Sequence, residues 1–338
     1  MSEHMEPTPV FDSYWRFAAE RQAMFFRRIA DPIGPWTTDP ILGAFRFTNA
    51  YRASDRVSQY LIRQIQYHPD RPSTPTELFF RTMLFKFFNR IETWEALERK
   101  LGPLTWKGTD LDAVSHVLDQ MMGRGQRIYS AAYIMPAPAL GKARKHANHL
   151  ALLVQMMSDK LPDRLRQAAT FRTVYEQLLR YPGIGPFLAF QYAIDLNYSM
   201  LLEHSEADFV IAGPGARDGI AKCFVHTEGR DAEAVIHWVC DQQERAFEAS
   251  EIGFQTLYGR RLQPIDCQNL FCEISKYARV AHPDVAGISG RTRIKQAYRH
   301  DPEPLPTPFY PPRWGLNIVE VERTSTRGAK RFEMGLFA

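Results

Sequence analysis

The 338-residue sequence is short of several things, and each shortage excludes a class of protein. No stretch is long and apolar enough to span a bilayer, and the opening MSEHMEPTPV is polar and lacks a signal-peptide pattern. The chain is therefore expected in the cytoplasm, with no membrane partner. Its four cysteines, Cys223, Cys240, Cys267 and Cys272, do not form the two close pairs of a zinc finger or ribbon. Nor do they make the compact run that holds an iron–sulfur cluster. The thiols read as reduced and buried, and neither a metal nor a cofactor is expected. A Gly-x-x-x-x-Gly-Lys-[Ser/Thr] phosphate loop is missing, so the chain is not expected to be a P-loop kinase by itself. Internal repeats are absent and strand-like alternation is scarce. Lysine is scarce as well, with 10 Lys against 32 Arg at a net charge of only +4. The planar fork of arginine matches phosphate and stacks on bases, which fits a nucleic-acid partner; an arginine-rich genome would give the same bias.

What is present is helix. Apolar residues recur at helical spacing over Phe11–Ile29, Asn49–Gln66, Pro75–Phe88, Thr93–Leu101 and Asp110–Met122. The pattern continues over Leu140–Leu161, Thr170–Arg180, Pro186–Asn197 and Asp231–Leu257, with Gly and Pro at most junctions. The expected fold class is all-α. Three regions are expected: an N-terminal arm over 1–40, a helical domain over 41–285, and a Pro/Arg-rich C-terminal tail over 286–338. The tail opens with Arg291, Arg293, Lys295, Arg299 and His300, and its prolines from Pro302 to Pro312 forbid helix. It either wraps the core or stays mobile.

The most informative run is Tyr181-Pro182-Gly183-Ile184-Gly185-Pro186, with Ala189 just beyond. One helix ends, two glycines able to take positive φ turn the chain, and a second helix starts on a proline. Bare backbone N–H groups at that helix start make an anion site. The run resembles the hairpin of the helix-hairpin-helix DNA glycosylase superfamily, with Tyr181 in place of its leucine. The resemblance implies a two-lobed glycosylase-like helical fold. It also implies that Pro182, Gly183, Ile184 and Gly185 grip the DNA backbone and that a catalytic Asp follows. Asp208 suits the spacing; Asp195 competes but falls inside the second hairpin helix. Bifunctional members carry a Lys just after the hairpin, where this chain has Pro186 and Phe187, so no strand cleavage is expected.

Further segments narrow the resemblance. Phe45 to Tyr51 runs on through Arg52 to Leu61. Leu84 to Trp94, Tyr129 to Ile134, Gly213 to Ile220 and Cys272 to Tyr277 follow in order. Together they resemble the α-glutamyl/putrescinyl thymine pyrophosphorylase family and the helical domain attached to hydroxymethyluracil DNA kinases, from about Phe45 to Tyr277. That resemblance implies work on hypermodified pyrimidines of phage DNA.

On this basis Asn49, Arg52, Asp55 and Arg56 form a polar group at a base pocket, with Asn49, Arg52 and Arg56 on one helical face; a salt-bridged surface helix would read the same. Asn89 could fill the gap left by a flipped base, and Glu92 could accept from an exocyclic amine. Trp94, Tyr129 and Tyr133 could stack on a base or pack in the core. The Gly213-Pro214-Gly215 turn could send Arg217 back to the site. Glu273 is a second pocket candidate and Lys276 a DNA-backbone contact, though three residues apart the two could simply pair. His146 and His149, beside Lys142, Arg144 and Lys145, read as a DNA-facing basic helix.

The leading expectation is a monomeric, monofunctional DNA glycosylase of antiphage defence. It would flip a modified base such as glucosylated hydroxymethylcytosine out of double-stranded DNA and leave an abasic site through Asp208. The alternative is a transferase that keeps the glycosidic bond and replaces pyrophosphate on pyrophosphorylated hydroxymethyluracil with an amine or amino acid. A third reading is a non-catalytic reader of modified DNA.

Overall fold

The computed structural model describes residues 5–131, 135–301 and 303–318. The fold is all-α. Among the described residues the β-structure named as strands is one short antiparallel pair, β1 (Glu6–Pro7) with β2 (Phe224–His226).

Thirteen α-helices are described: α1 (Pro9–Ala30), α2 (Pro40–Ala44), α3 (Arg56–Tyr60), α4 (Pro75–Phe88), α5 (Ile91–Leu101), α6 (Leu111–Gly123), α7 (Lys145–Ser158), α8 (Leu161–Arg166), α9 (Phe171–Leu179), α10 (Pro186–Asn197), α11 (Pro214–Cys223), α12 (Ala232–Ala249) and α13 (Pro264–Ala281). Their starts follow local chemistry. Thr8, Thr74, Asp110, Thr170 and Asp231 cap α1, α4, α6, α9 and α12 through side-chain oxygens. Proline opens α1, α4, α10, α11 and α13, where its missing N–H costs nothing.

The helices gather around two centres. Helix α4 is buried over nearly its whole length and packs on α7, α8, α10 and α5. Helix α13 packs on α11, α1 and α12. The contact of α11 with α13 depends on Gly215 and Gly219, four apart on one face. A Cβ at Gly215 would stand 2.3 Å from Cys272 Sγ, and one at Gly219 would stand 1.9 Å from the Phe271 carbonyl oxygen. Only hydrogen fits there. The run from Gly213 to Ile220 is therefore a helix-packing device, and it does not turn Arg217 toward a site.

One expected helix changes. Asn49–Gln66 is not one helix but a 3₁₀ turn at Arg52–Ser54, then α3, then a π-helical stretch at Leu61–Gln66. The Asn49 amide donates to the Ser54 carbonyl, and Asp55 Oδ1 accepts the Asn49 N–H. Such local bonds compete with helix. The expected arm supplies α1, whose Val10, Tyr14, Trp15, Phe17 and Ala18 are core residues. The tail, over residues described to 318, wraps the body. Tyr298 donates its N–H to the Ala44 carbonyl and Tyr310 is buried against Ser54. The Arg313 guanidinium donates to the Asn197, Ser199 and Leu202 carbonyls at the end of α10. That placement satisfies orphan carbonyls and complements the helix dipole.

Candidate active site

Helix α10 is largely apolar, and before its terminal Asn197 two side chains carry an amide or a charge, Gln191 and Asp195. Four residues apart, they share one face. A charge on such a helix is buried and must find counter-charge. Asp195 is fully buried and finds two. Arg52 Nη1 lies 2.8 Å from Oδ1, and Lys86 Nζ lies 3.0 Å from Oδ2. Lys86 is likewise a charge inside an apolar run, Leu84-Phe85-Lys86-Phe87-Phe88, on the most buried helix.

The surroundings fix each partner. Arg52 Nε donates to Gln191 Oε1 at 3.0 Å, and its backbone N–H donates to Asp266 Oδ1 at 2.8 Å. The Arg52 guanidinium lies 5.6 Å from the centroid of the Tyr198 ring. Lys86 Nζ donates to Asn89 Oδ1 at 2.7 Å. The π-helical stretch ends on Gln66, whose amide donates to the Asp195 carbonyl at 2.8 Å. Arg52 thereby links α10 and α13, the two halves of the packing. Beside this centre Lys86, Met135, Leu188, Gln191 and Tyr192 pack around a narrow crevice with no room for a water molecule.

Burial alone would raise the Asp195 carboxyl, but Arg52 and Lys86 outweigh it and hold the group below the usual carboxylate range. Burial lowers the Lys86 ammonium despite Asp195. Burial also pushes Asp266 up to about 7 and Asp55 up to about 6. Removing one member of a buried ionic group strands the others, so the three charges are mutually dependent.

The expected site residues divide. Arg52 and Asn89 belong to this centre. Half-buried Asn49 and Asp55 and buried Glu273 form a neighbouring polar group. Glu273 accepts the Thr48 N–H at 3.0 Å and pairs with Lys276 at 2.7 Å, so the plain ion pair is realised. Arg21 donates to Asn49 Oδ1 at 3.0 Å. Arg56 and Glu92 are exposed and face each other at 3.7 Å. Arg52 and Arg56 therefore do not share a face.

Trp94 is 2% exposed and packs edge-on against Phe85, which makes it a core residue and not a base-stacking one. Tyr129 bonds His149 Nδ1 at 2.8 Å and packs on Phe88. Tyr133 lies outside the described residues. Arg217 pairs with Glu233 at 2.9 Å on the surface. His146 and His149 are both 1% exposed and do not face outward; Lys142, Arg144 and Lys145 do.

The hairpin is formed, with α9 packed on α10. Gly183 takes φ 78°, while Gly185 is extended and precedes α10; Ile184 is buried. Pro182, Gly183 and Gly185 are exposed. Asp208 is exposed in a turn, whereas Asp195, set aside for its place inside α10, is the buried carboxylate. Lys86, Gln191 and Asp195 are the residues that reading by motif passes over. The signal for them was a charge or amide isolated within an apolar helix. Among the described residues no group of three or more His, Cys, Asp or Glu could hold a metal ion, and no helix is long and apolar enough to cross a membrane.

The chain belongs to the family described as 5-hmdU DNA kinase, helical domain, whose model matches residues 8–287. A curated relative, the 5-hmdU DNA kinase of Bacillus phage SP10, is 24% identical over 291 residues, which cover 79% of this chain and 45% of that protein. The chain thus spans less than half the length of that relative. No solved structure matches. The expectation of a base-excising glycosylase, a hydrolase of antiphage defence, is overturned, because both matches carry the name of a kinase, which is a transferase. The transferase alternative accords better with them.

Proposed function

We propose that this chain is the base-handling unit of a DNA hypermodification transferase, working on the exocyclic substituent of a pyrimidine and leaving the glycosidic bond intact. Its substrate is DNA carrying a hydroxymethylated pyrimidine in pyrophosphorylated form. At the exocyclic methylene the C–O bond to pyrophosphate breaks, a C–N bond to an amine or amino acid forms, and the amine loses a proton to solvent. The observation that carries this reading is the buried Arg52–Asp195–Lys86 centre, where two cations share one carboxylate. A site that must stabilise a departing anion needs fixed cations in surroundings that exclude water. Membership of the 5-hmdU DNA kinase helical-domain family supports the choice of a modified pyrimidine.

The test is to incubate the protein with duplexes bearing thymine, hydroxymethyluracil, or its phosphorylated and pyrophosphorylated forms, each with and without an amine. Digestion to nucleosides and mass spectrometry follow. A mass gain that needs both the pyrophosphorylated base and the amine is expected. Free base with an abasic site, or no change on any duplex, would refute the reading.

A further inference from the structure

From Gln120 to Ser158 the chain carries no Asp or Glu, while Arg124, Arg127, Lys142, Arg144 and Lys145 fall within that span and are all exposed. Asp119, just before it, faces Arg144 and His146, each at 3.6 Å, and neither Lys142 nor Lys145 takes part in an ion pair among the described residues. Lys145 Nζ instead stands 4.4 Å from the centroid of the half-buried Tyr129 ring. Surface charge of one sign, with no carboxylates interspersed, concentrates counter-ions and attracts polyanions.

The loop that presents these cations is held in place from below. Asn148, buried in α7, commits its whole amide to it. Its Oδ1 accepts the Leu140 and Lys142 N–H groups at 3.0 and 3.1 Å, and its Nδ2 donates to the Lys142 and Arg144 carbonyls at 2.7 and 2.9 Å. The same loop begins at buried Met135, which accepts the Tyr192 hydroxyl at 3.3 Å and packs beside Lys86 and Gln191. One short segment therefore runs from the buried ionic centre out to the acid-free surface.

We propose that the loop over 140–145 is a surface that receives the phosphate backbone of duplex DNA, with Lys142 and Lys145 as its principal contacts. The assignment rests on the transferase reading above, which supplies DNA as the partner. A duplex is a dense row of phosphates, bound through cations that displace its counter-ions, and it needs no pocket. Cations on a loop already ordered lose less freedom on binding than cations on a loose one. A second basic stretch, Arg291, Arg293, Lys295 and Arg299, is exposed as well. It lies along the end of α2, where the Gln296 carbonyl accepts the Arg46 N–H and the Ala44 carbonyl accepts the Tyr298 N–H, and Asp284 and Asp301 flank it in sequence. It offers equal charge without the link to the buried centre, so it serves as the matched control.

The test is fluorescence anisotropy with a short labelled duplex of unmodified DNA, titrated at several salt concentrations. Each phosphate contact contributes about 0.9 to the slope of log K against log salt, so Lys142→Ala with Lys145→Ala should make the slope shallower by about 1.8. Relative to about 1 M salt, each contact strengthens binding about eightfold at about 0.1 M, so the double variant should bind roughly sixtyfold more weakly there. Lys295→Ala with Arg299→Ala removes the same charge from the other stretch and should keep the wild-type slope and affinity. A wild-type slope in the folded Lys142/Lys145 variant, or an equal loss in the control, would overturn the assignment. A wild type that binds the duplex through these lysines yet modifies no base would refute the transferase reading and leave the contact supported. A wild type that binds no duplex would overturn both.

Discussion

Asp195→Asn changes one oxygen to nitrogen in a side chain that is fully buried, so shape is preserved and charge is the variable. In the native protein Asp195 faces Arg52 at 2.8 Å and Lys86 at 3.0 Å. The amide can accept at one end only, and its NH₂ must then point at a cation. Breaking a buried ionic group by removing one partner costs about 3–5 kcal/mol. At about 2.1 cal/mol/K of unfolding entropy per residue, the 338-residue chain loses roughly 1.4 °C of Tm per kcal/mol. The variant should therefore melt about 4–7 °C lower at neutral pH, measured by circular dichroism or calorimetry.

The dependence on pH follows from the depressed folded-state pKa of Asp195. The carboxylate contributes fully above its unfolded value of about 3.9, and the contribution is lost as pH falls through the folded value. The deficit of Asp195→Asn should hold from about pH 6 to about pH 8 and shrink in acid. Lys86→Met combined with Asp195→Asn should cost less than the sum of the two, because the second change removes a charge that the first has stranded. An Asp195→Asn protein with wild-type Tm at pH 7 would show that the three groups are not a mutually dependent buried centre.

Gly219→Ala places a methyl 1.9 Å from the Phe271 carbonyl oxygen, so α11 and α13 must separate; a loss of roughly 3 kcal/mol or more, or failure to fold, is expected in denaturant titration. Asp266 and Asp55 have folded pKa values raised to about 7 and about 6, above the unfolded value, so the folded state holds extra protons between about pH 4 and 7. Their contribution to stability should fall as pH rises through that window, and Asp266→Asn should flatten the Tm-versus-pH curve there. Asp208→Ala alters an exposed side chain and should change stability by no more than about 0.5 kcal/mol and leave base modification at the wild-type rate; a large loss of turnover would return Asp208 to the site.

The sequence by itself determined the all-α class and the positions of most helices, because helical periodicity, capping residues and N1 prolines act within a few neighbours. Pro75–Phe88 and Pro186–Asn197 coincide with α4 and α10 for that reason. The hairpin turn was legible in Tyr181 to Pro186, down to the positive φ of Gly183, though Gly185 proved extended. Helix α13 was not picked out. Its contacts with α11 rely on glycines about fifty residues away, and no local pattern records them.

The tertiary structure alone decided which charges meet. Arg52, Lys86 and Asp195 lie 34 to 143 residues apart in the chain, so no spacing rule joins them, and the pattern at Asn49 to Arg56 suggested a shared face that local Asn and Asp bonds dissolve. Asp208 had the right distance from the hairpin, but distance along the chain does not fix burial. Asp195 sits in an apolar helix packed against the most buried helix of the fold, and that packing forces it to gather the two cations.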